Sequence, residues 1–220
     1  MTMMTKILHH PTDALLMDYA AGTLPEAFSL VLATHVSMCD ECRARLSAYE
    51  SVGGGLIDAM TAAPMDEDGF EDMLARIMGA PEPAAPKPRA MRQKGIFPGP
   101  LQDYVGGDVA AVRWRPVGMG VRQAILPTDR DATVRLLHIP AGCAVPDHGH
   151  RGTELTLVLQ GAFRDEDGRF GPGDMEVATE EMEHTPVAEP GEDCICLAAT
   201  DAPLKFRALL PRLAQPLLRI

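Results

Sequence analysis

Histidine and cysteine side chains are grouped near the start of the chain at spacings that suit a bound metal ion. His35 is followed by Cys39 and Cys42 in a His-x3-Cys-x2-Cys pattern, and His9 and His10 lie upstream. The short gap between the cysteines lets both sulfur atoms reach one ion, and a structural zinc site takes four ligands in a tetrahedron. We prefer His10 as the fourth ligand, because the proline after it favours an extended lead-in. His9 remains the alternative.

The two neighbouring thiols have a second interpretation, as a redox pair or as ordinary free thiols. A thioredoxin-like site needs a strand–helix–strand context, which the residues around Cys39 and Cys42 lack. The chain has five cysteines, and an odd number argues against a disulfide framework. We therefore predict a structural zinc site, which in zinc-finger peptides supplies folding free energy on the order of 10 kcal/mol.

A second group of metal-binding residue types lies in the C-terminal half of the chain. His148, His150 and Glu154 fall in one short run, and His184 follows later. Residues two apart in a strand face the same side, so the imidazoles of His148 and His150 converge. Three imidazoles and a carboxylate suit zinc or another first-row metal. The sequence therefore predicts a second metal site, whereas His138 fits no such pattern and is interpreted as structural.

The elements that must position the first cluster are predicted to be helices. Residues 13–21 have helical periodicity and end at Gly22. A second helix begins at Pro25 and ends near the first cluster, and a third covers about 41–59. Beyond an acidic stretch, a fourth short helix carries one apolar stripe. The stripe consists of Phe70, Met73, Leu74, Ile77 and Met78.

The second half of the chain has the character of β-structure. Residues 80–100 contain six prolines, which favours a semi-rigid linker. After residue 101, short apolar or alternating runs such as ELTLVLQGAF and DCICLAAT are separated by Gly, Pro and Asp, which predicts an antiparallel sandwich or barrel. We therefore expect a multidomain protein, with an all-α zinc-binding bundle at 1–79, the linker at 80–100 and an all-β domain at 101–220.

Composition and charge exclude several classes of function. The net charge is −11, divided as −8 over residues 1–79, +3 over 80–100 and −6 over 101–220. An acidic chain is unsuited to direct nucleic-acid binding, which needs a basic face, whereas an acidic first part suits a basic protein partner. Neither a membrane span nor a secretory signal is evident, so we expect a cytoplasmic protein that does not bind membranes.

The N-terminal part resembles a known family. The string HHPTDALLMDYAAGTLPEAFSLVLATHVSMCDECRARL is similar to the zinc-binding anti-sigma domain, which carries an upstream His and His-x3-Cys-x2-Cys. The resemblance implies a three-helix bundle that wraps around a group IV sigma factor, with a fourth helix packed separately against that partner. The side chains expected to dock on the sigma factor are Phe70, Met73, Leu74 and Ile77.

The C-terminal part resembles the cupin barrel. GCAVPDHGHRGTELTLVLQG matches the first cupin motif, and FGPGDMEVATEEMEHTP keeps the Pro-x-Gly and the His of the second but lacks its Asn. The combination of an anti-sigma module, a proline linker and a cupin resembles the ChrR-type zinc-dependent anti-sigma factors across nearly the whole chain. That likeness implies two zinc ions, one per domain, and the cupin ligands His148, His150, Glu154 and His184.

The family resemblance implies a regulator and not an enzyme. Such a protein binds an extracytoplasmic-function sigma factor of the sigma-E type, with one copy of each, and releases it when singlet oxygen or organic peroxide appears. Cys194 and Cys196, two apart on a predicted strand, are candidate sensing residues beside ordinary core packing, and Cys143 is a weaker one. The alternative is a metal-dependent cupin dioxygenase with an accessory zinc-binding helical domain, because cupin sites support several chemistries.

Overall fold

The computed structural model describes residues 6–64, 66, 68–81, 94–206 and 215. The helices are α1 (Asp13–Ala21), α2 (Glu26–Met38), α3 (Asp40–Asp58), α4 (Gly69–Gly79) and α5 (Gly99–Val105). A short 3-10 turn at Val109–Ala111 leads into the β-part. In this part of the chain, no helix combines the length and the apolar character needed to cross a bilayer.

The rest of the described chain forms antiparallel strands. They are β1 (Arg115–Gly118), β2 (Val121–Leu126), β3 (Thr133–Ile139), β4 (His148–Gly149), β5 (Glu154–Gln160), β6 (Phe163–Arg164), β7 (Arg169–Phe170), β8 (Met175–Ala178), β9 (Glu183–His184), β10 (Val187–Ala188), β11 (Cys194–Thr200) and β12 (Lys205–Phe206). A six-stranded sheet has the order β1-β2-β3-β11-β5-β8, and two three-stranded sheets have the orders β10-β6-β7 and β12-β4-β9. The predicted fold class, a helical N-terminal part followed by a cupin-like β-domain, is confirmed.

Local sequence signals explain where the N-terminal helices begin and end. The Thr12 hydroxyl accepts a hydrogen bond from the Leu15 amide and caps the start of α1. Gly22 ends the helix in the left-handed conformation, with φ 69°, where a side chain would be strained. At the start of α3 the Cys39 sulfur takes the capping role, 3.5 Å from the Cys42 amide. The capping thiol of Cys39 is therefore also a candidate metal ligand.

The six-stranded sheet is apolar on both faces. Along β3, β5 and β11 nearly every residue is buried, instead of every second one. One face, with Val121, Val158 and Cys196, belongs to a core inside the barrel that Phe163 and Phe170 of the β10-β6-β7 sheet complete. The other face packs against the helices, and a sheet covered on both sides needs such near-continuous apolar strands. Its residues include Leu136, Leu155, Leu157, Ile195 and Leu197.

Helix α2 is the element that covers the outer face of the sheet. Phe28, Val31 and Leu32 share one hydrophobic core with the outer residues of the sheet. At the first turn of α2, the Glu26 amide donates to the Asp129 carboxylate at 3.0 Å and the Asp129 amide donates back to Glu26 at 2.8 Å. The helical bundle is therefore fixed to the barrel by a continuous core and by a reciprocal pair of hydrogen bonds.

The sequence predicted a semi-rigid linker over 80–100, and the structure describes only its two ends. Residues 82–93, which hold three of the six prolines, lie outside the described residues. The end of the segment is not an extended spacer, because Phe97 is 2% exposed and Leu101, in α5, is fully buried in the shared core. The proline content indicated an extended chain. It carried no information about what the side chains of Phe97 and Leu101 would pack against.

Helix α4 behaves differently from the other helices of the N-terminal part. None of its residues is buried, although its apolar stripe is as regular as the sequence predicted. Phe70 is 67% exposed and Ile77 is 64% exposed. The C-terminal half of α3 also leaves Val52, Leu56 and Ile57 exposed. No described part of this chain covers these apolar side chains of α3 and α4.

Candidate metal centres

Three separate elements bring the four N-terminal donors together. His10 lies in the extended segment before α1, His35 lies in the last turn of α2, and Cys39 with Cys42 begins α3. The ligand atoms of these four residues all lie within 4.8 Å of one another. His35, Cys39 and Cys42 are buried and His10 is partly buried, so the cluster is closed to bulk solvent.

The distances between these donors fit a tetrahedral ion. The His10 Nδ1 atom lies 3.4 Å from Cys39 Sγ and 3.3 Å from Cys42 Sγ. The His35 Nε2 atom lies 3.3 Å from Cys42 Sγ. Donors bonded to one zinc ion at about 2.3 Å for sulfur and 2.0–2.1 Å for nitrogen are roughly 3.3–3.8 Å apart. The four residues therefore fit a structural zinc site.

The protonation equilibria of the cluster also favour a bound cation. Burial lowers the pKa of His35 to about 4, opposed by the backbone of Gly173, so the ring is neutral at physiological pH. Burial and the neighbouring Cys39 raise the pKa of Cys42 to about 12. A thiol in this position becomes a thiolate only when a metal ion compensates the charge, which is the linkage expected of a zinc ligand.

The structure distinguishes the two candidate upstream histidines. His10 faces the sulfur atoms through Nδ1, and its Nε2 lies 3.7 Å from the Glu41 carboxylate, which orients the ring. His9 faces the other way and packs at a tilt of 41° against Phe170, with ring centroids 4.4 Å apart. Consecutive residues in an extended segment point to opposite sides, so only one of the two can reach the cluster.

The second cluster is a triangle of imidazole nitrogens at one end of the barrel. The His184 Nε2 atom lies 3.3 Å from His148 Nε2 and 3.3 Å from His150 Nε2. His148 Nδ1 donates to the Pro146 carbonyl at 2.9 Å, so its Nε2 carries a lone pair directed at the centre of the triangle. Converging lone pairs repel unless a proton or a metal ion lies between them, and the spacing fits a metal.

Two carboxylates behind His184 were not found by sequence reasoning. Asp165 and Glu176 each place an oxygen 3.0 Å from His184 Nδ1. Such outer partners fix the tautomer of a ligating histidine and increase its basicity. Asp165 and Glu176 are far apart in the sequence and only the barrel brings them together. The one available signal was an acidic residue in an otherwise apolar run of β8.

Burial and charge give these three groups distinct protonation states. Burial raises the pKa of Glu176 to about 8, whereas the pKa of Asp165 is lowered, because its hydrogen bonds to Glu176 and His184 outweigh the effect of burial. Burial by itself lowers the pKa of His184. The hydrogen bonds to Glu176 and Asp165 have the larger combined effect and raise the pKa to about 9. A metal ion in the triangle would replace the proton that His184 otherwise carries.

Glu154, the fourth cupin ligand that the family resemblance implies, lies at the edge of the triangle. Its Oε2 atom is 3.6 Å from His150 Nδ1, on the side of the ring away from the other two imidazoles. Its Oε1 atom accepts a hydrogen bond from the Thr156 hydroxyl at 3.0 Å. Ligation by Glu154 requires its side chain to turn from Thr156 towards the triangle, and it stays a prediction.

The turn between β7 and β8 connects the two clusters. The Asp174 carboxylate accepts hydrogen bonds from the Leu8 amide at 2.6 Å and the His9 amide at 2.9 Å through one oxygen. Its other oxygen accepts from the Gly171 amide at 2.8 Å. The Met175 amide then donates to the His9 carbonyl at 3.1 Å. The segment that carries His10 is thus held by the barrel, and we call residues 7–10 the strap.

The same turn is in close contact with the strap and with α2. Gly173 has φ 92°, and a Cβ atom there would lie 2.5 Å from the Ile7 side chain, so only glycine fits. Its backbone also lies against the His35 ring. Three residues after Gly173, Glu176 in β8 contacts His184. One short piece of chain therefore touches the partners of both metal clusters.

The candidate sensing residues lie inside the barrel. The sulfur atoms of Cys194 and Cys196 are 3.5 Å apart, and both side chains are buried. Cys196 lines the same cavity as His148 and His184. Cys143 is half-buried and lies away from the triangle, with its sulfur 3.3 Å from the Met119 carbonyl. A sensing role for these thiols stays a prediction.

Together these features define a class of protein, in which a helical bundle with one candidate metal cluster is packed on the outside of a cupin-like barrel with another. Residues 102–203 match the family described as the ChrR cupin-like domain. The chain is 59% identical to the anti-sigma-E factor ChrR of Cereibacter sphaeroides over 214 residues, which cover 97% of this chain and 99% of that protein. The chain therefore belongs to the family of ChrR anti-sigma-E factors.

A solved structure also matches most of the chain. It is the crystal structure of Rhodobacter sphaeroides SigE in complex with the anti-sigma ChrR. The sequence identity is 57% and the TM-score is 0.78, with 89% of this chain and all of the solved chain covered. The match supports the helical N-terminal part and the cupin C-terminal part as one architecture.

Proposed function

We propose that this protein is a cytoplasmic anti-sigma factor that binds a sigma factor of the sigma-E type, one copy of each, and releases it in response to singlet oxygen or organic peroxide. Binding would keep the sigma factor from core RNA polymerase. The family membership supports the class of partner, because the related ChrR chain was crystallised with SigE. Similarity to an anti-sigma factor over 97% of the chain favours this function over the cupin dioxygenase.

The observation that carries the proposal is the exposed apolar face of α4. Phe70, Met73, Leu74 and Ile77 are 67%, 57%, 42% and 64% exposed. Full burial of one such side chain contributes about 1.5–3 kcal/mol, so a stripe left in water implies a partner that covers it. The net charge of −8 over residues 1–79 adds attraction towards a basic surface, which increases the association rate.

The binding half of the proposal is tested with a pair of charge substitutions on the two sides of α4. Ile77→Asp places a carboxylate in the apolar stripe, and Ala75→Asp places the same charge on the opposite side of the same exposed helix. We expect Ile77→Asp to weaken sigma-factor binding by about 2–4 kcal/mol, as for a truncated interface hot spot.

Binding is measured by co-purification and by calorimetry with the sigma factor. The Ala75→Asp control should bind within about threefold of the unaltered protein, since rim charges change affinity little. Equal affinity of both variants and the unaltered protein would contradict docking through α4. Circular dichroism shows whether each variant keeps its helices.

For the signalling half, the proposal assigns zinc to both clusters and a route between them. The closed N-terminal site would hold α2, α3 and the strap in the arrangement that binds the sigma factor. The barrel site would respond to the oxidant. A change at His184 would act on Glu176 and then, along β8, on Asp174, which holds the backbone next to His10. Loss of the hydrogen bonds between Asp174 and the strap would free His10 from its position in the N-terminal site and release the sigma factor.

A further inference from the structure

Helix α3 consists of two halves that differ in how they are fixed to the rest of the bundle. In the first half, residues 40–49, Cys42 and Leu46 are buried in the core. The Tyr49 hydroxyl donates to the Asp13 carboxylate at 2.6 Å, and the Arg45 guanidinium donates to the same carboxylate. The first half of α3 is therefore fixed to α1 by packing and by charge-assisted hydrogen bonds.

The second half of α3, residues 50–58, leaves the core. At about 1.5 Å per residue, the 9 residues of α1 span about 14 Å and the 19 residues of α3 about 29 Å, so α1 is too short to cover α3 along its length. Val52, Leu56 and Ile57 are 63%, 66% and 70% exposed. Helices in proteins owe most of their stability to tertiary packing, so the second half depends on its own helix propensity.

Three consecutive glycines, residues 53–55, lie inside this exposed half. Each glycine in a helix interior lowers the helix–coil equilibrium constant about four- to fivefold relative to alanine. None of the three has a positive φ, and a Cβ atom added at any of them would meet no neighbouring atom of the described chain within 4 Å. Neither backbone conformation nor close packing within the described chain requires glycine here, and its remaining effect is to weaken the helix.

The end of α3 lacks the features that usually stabilise the end of a helix. Its C-cap is Ala59 in the right-handed conformation, whereas α1 ends at the left-handed Gly22. The last turn of α3 contains no basic side chain, and its last residue is Asp58. The helix dipole disfavours a carboxylate at the C-terminal end, so Asp58 destabilises the last turn. Glycine content, exposure and charge therefore weaken the same half of α3.

The apolar side chains of this half lie on one face only while the segment is helical. Val52 and Leu56 are four residues apart, which places them on the same side of a helix. A partner that covers this face binds the helix in preference to the coil, and such differential affinity shifts the equilibrium towards the helix. A basic partner surface beside Asp58 would also compensate the unfavourable charge at the end of α3.

We propose that the second half of α3 exchanges between helix and coil in the unbound protein, with residues 53–55 as the hinge, and that the sigma factor orders it as a continuous helix. The ordering step rests on the proposed function, whereas the helix–coil exchange is a property of this chain alone. Because only the helical fraction of the unbound protein is ready to bind, the apparent affinity is reduced in proportion to that fraction. The glycines thus make the complex easier to release.

The helix–coil exchange is tested by hydrogen–deuterium exchange of the purified full-length protein without a sigma factor. We expect the backbone amides of residues 53–58 to exchange within about tenfold of the rate of an unstructured peptide, and those of residues 43–49 to be protected at least about 100-fold more strongly. Equal protection of the two halves would overturn the proposal.

A triple substitution shows whether the glycines cause the exchange. Gly53→Ala, Gly54→Ala and Gly55→Ala together raise the helix–coil constant roughly 100-fold, so the amides of residues 53–58 should exchange about 10- to 100-fold more slowly. The control is Ser47→Ala, an exposed substitution in the first half of the same helix, which should leave this segment unchanged. Unchanged exchange in the triple variant would refute the hinge.

Ordering by the partner is tested by calorimetry with the sigma factor. The triple alanine variant should bind about two- to tenfold more tightly than the unaltered protein, because more of it is already helical. Gly54→Pro breaks the helix and should bind at least about tenfold more weakly, whereas Ser47→Ala should bind as the unaltered protein does.

Equal or weaker binding by the triple alanine variant would overturn the ordering step, and so would unchanged binding by Gly54→Pro. Circular dichroism shows that each variant keeps the other helices. If the unaltered protein binds no sigma factor, the proposed function fails and the ordering step fails with it. Rapid exchange of residues 53–58 that the three alanines slow would still establish the hinge.

Discussion

The two metal clusters of this protein differ in how completely they are enclosed. The N-terminal cluster has four donors from three elements and is closed, which is the arrangement of structural zinc sites. The barrel cluster has three imidazoles at the wall of a cavity, backed by Asp165 and Glu176. An incomplete donor set beside an open space is the arrangement of sites that exchange ligands. From this difference we propose that the first cluster stabilises the fold and that the second takes part in the response.

The largest expected effect comes from breaking the closed cluster. Cys42→Ser removes a fully buried ligand, and we expect the protein to lose one zinc ion and the bundle to lose stability by several kcal/mol, up to the order of 10 kcal/mol that structural zinc provides. Elemental analysis measures the zinc content, and denaturant unfolding measures the stability. Cys143→Ser, which lies outside both clusters, is the control and should change neither. An unchanged zinc content in Cys42→Ser would remove the basis for a structural site.

Substitution in the barrel cluster is expected to change folding less than substitution in the N-terminal cluster, but to change the response to singlet oxygen more. His148→Gln should remove the barrel metal while the fold persists, because two hydrophobic cores hold the barrel without it. We expect sigma-factor binding to be retained and release by singlet oxygen to be lost. Metal content and a reporter of sigma-dependent transcription check the two parts.

The matched control for the barrel cluster is His138→Gln. His138 is a buried histidine on β3 of the six-stranded sheet, and it lies against Trp114 and Asp193 and not in the triangle. Glu154→Gln sharpens the comparison further, because it should reproduce His148→Gln only if Glu154 ligates the metal. Normal induction by singlet oxygen in His148→Gln would contradict the sensing role of the barrel.

The smallest effect is expected where the two clusters are connected. Asp174→Asn keeps the shape of the side chain but weakens charge-assisted hydrogen bonds to the strap, each worth about 1.5–3 kcal/mol. We expect the bundle to release zinc to a chelator roughly tenfold faster, with the barrel metal unaffected. The rate is followed with a colorimetric zinc indicator.

Asp201→Asn is the control for the strap. Asp201 also accepts a backbone hydrogen bond in a turn of the barrel, from the Thr153 amide at 2.9 Å, but it does not touch the strap. Identical zinc release from both variants would show that the two clusters are not connected through Asp174. A loss of the barrel metal in Asp174→Asn would also contradict the proposed division.

Much of the candidate site follows from local sequence signals. The His-x3-Cys-x2-Cys spacing predicts its own geometry, because one helix end and the next helix start are linked by a single turn. The pair His148 and His150 was similarly predictable from strand alternation. Asp165, Glu176 and Asp174 were not predicted, because their partners are distant in the chain; the one local signal was the acidic Glu176 in the apolar run of β8.

The sequence by itself determined the helices, the strands and the residue types that can bind metal, because periodicity, caps and ligand spacing are local properties. Only the tertiary structure decided that α2 covers the outer face of the sheet and that Asp174 holds the strap beside His10. It also separated the buried stripe of α2 from the exposed stripe of α4, two patterns that look alike in the sequence. Hydrophobic burial is non-directional, so an apolar stripe predicts that something will cover it, and only packing shows what does.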